Sequence, residues 1–157
     1  MITVRELQPE DDIKAVLNLC RDFFAEYEIY HDEFFDTDDL TDTDISGRFW
    51  ESVKSNQSAT IIAIIDNAIV GYALISVREQ PDFYKIKKVG AVSGLMVAKN
   101  HRRKGIAKRL LAESKAYFRQ KGVKYFTLYT AAANQGAAKF YEQSEMLPLH
   151  VSYIGKT

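Results

Sequence analysis

A chain of 157 residues, 46% of them apolar, has the length of one domain spanning residues 1–157 and enough apolar surface for a core, which excludes a disordered segment. Its 21 basic and 21 acidic residues cancel but are not mixed along the chain, and its one cysteine, Cys20, excludes an internal disulfide and fits a reducing cytoplasm. The opening residues turn polar too early for a secretion signal, and the apolar run 59–77 is split by Asp66 and Asn67, so no membrane span is expected.

In chain order, Thr3 to Leu7 alternates enough for a first strand. Pro9 and the acids at 10–12 then mark a helix start, and Ile13, Val16, Leu17, Cys20, Phe23, Phe24 and Tyr27 recur at helical spacing. The segment Asp22 to Asp44 carries ten acidic residues and no Lys or Arg, so the rest holds 21 basic residues against 11 acidic ones. Glu28 to Asp44 lacks a sustained period and is expected to be a loop or a short helix, followed by a second helix, Asp44 to Ser55, with Ile45, Phe49, Trp50 and Val53 facing inward.

Ala59 to Ile65 and Ala68 to Val77 read as a hairpin turning at Asp66-Asn67, and Pro81 places residues 80–84 in a loop. Lys87 to Val97 is the next strand, with Gly90 and Gly94 making a bulge plausible. A helix from Lys104 to Lys121 ends at Gly122, Tyr125 to Ala131 is a strand, Asn134 caps a short helix to Ser144, and Leu149 to Ile154 completes the pattern as a last strand. Alternating strand-rich and helix-rich stretches give an α/β or α+β domain with a mixed sheet.

The turn between the fourth strand and the third helix is the most chemical stretch. First-turn N–H groups of a helix have no intrahelical partner and attract phosphate, Gly105 lets a ligand approach the backbone, and Arg102, Arg103 and Lys104 add positive charge. A polyphosphate ligand suits that chemistry, although a basic turn alone is commonly just a solvated loop.

The spacing Arg102-x-x-Gly105-x-Ala107 after an apolar strand resembles the acyl-CoA pyrophosphate loop of the GNAT superfamily of N-acetyltransferases, and Asn134-x-x-Ala137-x-x-Phe140-Tyr141-Glu142 resembles that family's second motif. The resemblance covers roughly residues 59–146. It implies a largely antiparallel twisted sheet with a central V-shaped splay, flanked by about four helices, and acetyl-CoA as co-substrate. It also implies pantetheine pairing along Leu95, Met96 and Val97, pyrophosphate on Arg102, Arg103, Lys104, Gly105, Ile106, Ala107 and Lys108, and cofactor contacts from Asn134, Ala137 and Tyr141. Tyr141 matches the tyrosine found near the cofactor sulfur in many members.

Two departures stand out. Where many members keep an acid in the strand before the phosphate turn, this chain has Val92, Ser93 and Gly94; Glu26, Asp32 or a water held by Ser93 or Tyr129 are left to take the amine's proton. The usual Gly-Phe after the tyrosine helix is replaced by Glu145-Met146. The expected activity is direct transfer of an acetyl group to a primary amine. The acidic segment and its aromatic residues point to a cationic acceptor, a polyamine, aminoglycoside-like amine or basic peptide, met by Tyr27, Tyr30, Asp32 and Glu33. A non-catalytic acyl-CoA sensor of the same fold is the alternative. His31, His101 and His150 lie too far apart in sequence to suggest a metal site. The basic turn lacks interleaved aromatics for nucleic acid, and pairing with a second copy stays open.

Overall fold

The computed structural model describes residues 1–31 and 33–157. Five strands form one sheet in sequential order: β1 (Ile2–Glu6), β2 (Ser58–Ile65), β3 (Ala68–Glu79), β4 (Lys88–Val97) and β5 (Phe126–Leu128). β1 to β4 are antiparallel neighbours, and β5 runs parallel to β4. Four helices flank the sheet: α1 (Ile13–Glu28), α2 (Asp42–Lys54), α3 (Ile106–Gln120) and α4 (Gln135–Gln143).

Local chemistry accounts for the boundaries. The β2–β3 hairpin turns on Asp66 and Asn67, both at positive φ (49° and 62°), as a two-residue turn matched to strand twist requires. Asp12 caps α1 by accepting from Lys14 N, and Gly122 closes α3 at φ 71°. The second helix begins at Asp42, two residues before the expected Asp44, because Asp44 is consumed in a capping box with Thr41.

The sheet is buried on both sides, which explains why β2 reads as a continuous apolar run. On one face, Ile61, Ala73, Ile75 and Val97 pack against Ile106, Leu110, Tyr117 and Phe118 around α3. On the other, Ile62, Tyr72 and Met96 meet Val16, Leu17, Cys20, Ile45 and Phe49 from α1 and α2. Trp50 is only half-buried; Ser52 is buried instead, with its Oγ 2.6 Å from Phe49 O and 2.7 Å from Thr60 Oγ1.

The β3–β4 register slips at one point: Leu74 faces Gly94 while Ile75 faces Val92, leaving Ser93 as an extra residue. Such a bulge reverses the inside–outside phase of a strand. Val92 therefore shares the α3 face with Leu95 and Val97, an odd spacing that regular alternation forbids.

Two expected strands differ. β5 covers only Phe126–Leu128 of the expected Tyr125 to Ala131, because its ladder to β4 ends at the Val92–Leu128 pair, where the bulge begins. Leu149 to Ile154 forms no strand; residues 145–157 are irregular, with Leu149 and Val151 70% and 71% exposed. Alternation reports a preference for a half-buried surface, and no sheet edge is paired with this segment. Among the described residues no helix is long and apolar enough to cross a membrane.

Candidate active site

Beyond Val92 and Leu128 the two parallel strands part, and a cleft of about 80 Å³ opens between them. One wall is β4 from Val92 to Met96, and the other is Leu128, Tyr129 and Thr130. Phe23, Glu26 and Tyr27 on one face of α1, with Tyr30 just past its end, close one side, and Ala137 and Tyr141 of α4 with its cap Asn134 close the other.

Along this stretch β4 keeps its β3 partner but has none on the open side. Ala98 N donates to Val70 O on the β3 side (2.9 Å), so the Val97 carbonyl of the same peptide points the opposite way, where Arg102 Nε donates to it at 2.9 Å. Antiparallel alternation then turns the N–H groups of Leu95 and Val97 toward the opening. An extended ligand lying in the splay would find a strand edge there.

At the end of β4 the chain makes a 3-10 turn at Lys99–His101 and enters α3 through Arg103 (φ 63°) and Gly105 (φ 78°). Left-handed residues so close to a helix start gather backbone N–H groups into a concave nest. The other three helices have a side-chain cap; α3 has none, and the N–H groups of Arg103 to Lys108 have no acceptor among the described residues. Those donors suit the oxygens of a pyrophosphate.

The side chains at this turn behave differently from one another. Arg102 is committed to the protein, bonding Val97 O through Nε and Glu26 Oε1 through Nη2 at 2.7 Å, so it braces the turn against α1. Lys104 Nζ donates to Asn100 O at 3.0 Å. Arg103 and Lys108 are exposed, whereas Ile106 is buried in the core, leaving only its backbone for a ligand.

On α4, Asn134 Oδ1 accepts from Ala137 N at 3.1 Å as a cap, and its amide also lines the cleft, so its two expected roles are compatible. Burial raises the Tyr141 hydroxyl above the ordinary phenol value, which keeps it a neutral donor at physiological pH. Tyr27 is only 9% exposed, and its hydroxyl has no hydrogen-bond partner among the described residues. Its pKa is pushed up to about 12, first by burial and then by the neighbouring Tyr129, Tyr141 and Tyr30, with the Ala131 backbone N–H offsetting part of the rise without completing a hydrogen bond.

Of the residues expected to meet an acceptor, Tyr27 and Tyr30 line the cleft and Asp32 lies outside the described residues. Glu33 does not reach it; this exposed carboxylate pairs with Lys156 at 3.0 Å. The acidic segment as a whole is not a free negative wall. Glu28 accepts from Thr37, Asp42 pairs with Arg21 at 2.6 Å, and Asp44 caps α2. Glu26 is the one carboxylate among the described cleft residues. Phe23, which helical spacing assigned to the core, also faces the cleft; the steps 23, 26, 27 and 30 were the signal for that second face.

A profile of the acetyltransferase (GNAT) family matches residues 20–145, which takes in the β4 edge, the uncapped turn and α4. The chain belongs to the acetyltransferase (GNAT) family. It is 30% identical over 94 residues to the uncharacterized N-acetyltransferase YhfO of Bacillus subtilis (strain 168), a match covering 59% of this chain and 60% of that one. The chain thus spans about three-fifths of that relative's length. By structure it is similar to a tetramutant of the BH1408 protein from Bacillus halodurans (TM-score 0.84, 19% identity, 99% of both chains). It is also similar to AAC(6')-Iy in complex with the bisubstrate analog CoA-S-monomethyl-acetylneamine (TM-score 0.80, 18% identity, 100% of this chain and 99% of that one). These likenesses establish a GNAT fold, with its mixed, mostly antiparallel sheet and four helices.

Proposed function

We propose that this GNAT protein is an acetyl-CoA-dependent N-acetyltransferase whose acceptor is a cationic small molecule or peptide bearing a primary amine. The observation that carries the proposal is the order of features along one stretch of chain: a cleft lined by Tyr141 and by β4 from Val92 to Met96, an edge of β4 that β5 leaves open beyond Val92, and then six N–H groups at the α3 turn with no acceptor among the described residues. AAC(6')-Iy, so similar in fold, is complexed with a CoA-linked acetylneamine analog, which supports an amine acceptor.

In this reading the pyrophosphate rests on the turn from Arg103 to Lys108, and the pantetheine arm pairs with Leu95 and Val97. A β4 N–H toward the opening holds the thioester oxygen as negative charge develops on it. The amine nitrogen attacks the carbonyl carbon, the new C–N bond forms, the C–S bond breaks, and the amine's proton passes to water in the cleft. Tyr141 donates a hydrogen bond to the departing thiolate. Full proton transfer is uphill, since a phenol near ~10 is already weaker than a thiol near ~8.5 and burial widens the gap.

The test is thiol release from acetyl-CoA with a panel of polyamines, aminoglycosides, amino acids and basic peptides. Release with cationic amines supports the proposal. CoA binding without release from any amine would favour a sensor of the same fold.

A further inference from the structure

Glu26 and Tyr27 sit side by side on α1, and both face the cleft with unused capacity. Glu26 Oε1 is held by Arg102 Nη2 at 2.7 Å with Lys99 Nζ at 3.9 Å, while Oε2 has no partner among the described residues. Tyr27 is nine-tenths buried, and its hydroxyl completes no hydrogen bond with any described residue, the Ala131 N–H offsetting only part of the cost of its burial. Both polar atoms suit a ligand that donates hydrogen bonds and carries positive charge.

A reacting amine must be neutral, because the lone pair that attacks cannot also hold a proton. An ammonium bound at a carboxylate therefore belongs to a different nitrogen of the same molecule. Resting on the acetyl-transfer reading, we propose that the α1 wall selects acceptors with two amines: a neutral one that attacks, and a protonated one held by Glu26 Oε2 beside the Tyr27 hydroxyl.

Charge couples the two ligands. Glu26 with Arg102 and Lys99 sums to a net positive cluster, which repels a cation. A pyrophosphate on the turn that follows Arg102 would bring negative charge that opposes that balance. Cofactor and diamine then favour each other, and by linkage each tightens the other by the same factor.

Calorimetry with 1,4-diaminobutane and butylamine, with and without saturating CoA, reads this directly. CoA should tighten the diamine at least about fivefold and tighten butylamine, which carries one positive charge instead of two, by less. Glu26→Gln keeps an oxygen for Arg102 but removes the charge; it should lower the diamine-to-monoamine ratio, in affinity and in kcat/KM, by about tenfold, with the Kd for CoA held within about twofold. Tyr27→Phe should weaken the diamine several-fold without lowering Tm, since the lost hydroxyl bonds no described residue; a structural role would lower Tm.

Equal ratios in the wild type and Glu26→Gln, or no effect of CoA on the diamine, would overturn the inference even if acetylation is efficient. Glu26-dependent diamine binding in a chain that releases no thiol would overturn the proposed activity and leave this inference standing.

Discussion

Gly94 lies against the ring of Tyr72: a Cβ at residue 94 would come 3.2 Å from Tyr72 Cε2 and 3.4 Å from its hydroxyl oxygen. Tyr72 cannot retreat, because it is 1% exposed and wedged between Phe49 (ring centroids 5.3 Å apart) and Cys20, whose thiol burial pushes up. The bulge that opens the cleft is thus seated on a fixed aromatic floor. Gly94→Ala is expected to cost roughly 1–3 kcal/mol by overpacking and to raise the KM for acetyl-CoA. Thermal melts of the single variants and of the pair with Tyr72→Leu check this; additive losses would mean the two residues do not press on each other.

The α3 turn should tolerate loss of charge better than loss of its backbone shape. Gly105 has open space around a built Cβ, so a side chain there meets no protein atom, but its φ of 78° is strained for a β-branched residue. Gly105→Val should raise the KM for acetyl-CoA about tenfold or more, a loss on the order of 1.4 kcal/mol, and Arg103→Ala should raise it only a few-fold. Initial-rate kinetics at saturating acceptor distinguish them, and equal small changes would count against a backbone cradle.

Removal of the Tyr141 hydroxyl should act on turnover. Tyr141→Phe is expected to lower kcat about tenfold with little change in the KM for acetyl-CoA, because the hydrogen bond matters as the thiolate forms. Burial raises its pKa above that of an ordinary phenol, so any alkaline fall that this group gives the wild-type kcat profile should come at higher pH than a free phenol would give. An unaltered kcat in the variant would return Tyr141 to a packing role.

Acid stability should depend on Asp11. Arg5 donates to both of its carboxylate oxygens at 2.7 Å and Gln8 N adds a third bond; the Arg5 hydrogen bond leads in lowering the Asp11 pKa. A depressed carboxylate contributes stability that is complete above the unfolded value near ~3.9 and lost as pH falls through the folded value. Asp11→Asn should cost on the order of 1 kcal/mol at neutral pH, discounted because the Arg5 side chain is 39% exposed, and should flatten the acid limb of a denaturation series from pH 6 to pH 2.

The expected glycine after α4 offers a stability test. Glu145 takes the left-handed conformation, φ 63°, while Met146 N closes on Tyr141 O at 3.1 Å, so the chain follows the path a glycine would. Glu145→Gly should raise stability by up to about 1 kcal/mol, the relief of left-handed strain less glycine's entropy, with kinetics unchanged. A lower Tm would show that Glu145 bears no strain.

These residues mark where sequence reasoning succeeded. The α1 stripe, the Asp66-Asn67 turn, the Gly94 bulge and the Asn134 cap are local devices whose causes lie within a few positions, so they were legible. The acidic segment was misjudged because a charge run shows how many carboxylates there are but not their partners. Arg21, Thr37, Thr41 and Lys156 engage several of them, and Glu26 meets Arg102 across 76 positions. The tail from Leu149 failed for a related reason: β-propensity is a property of the segment, and a strand also needs an edge to join.

The bare start of α3 makes heat resistance a gauge of occupancy. Six donors with no acceptor among the described residues are free to take one, so any anion that seats there shifts the unfolding equilibrium by mass action, about 2.7 kcal/mol at a hundred times its Kd. For a chain of this size that is a rise of roughly 5–10 °C. A melting curve taken with CoA, with its dephosphorylated fragments and with pantetheine alone would therefore rank which part of the molecule the helix was left open to receive.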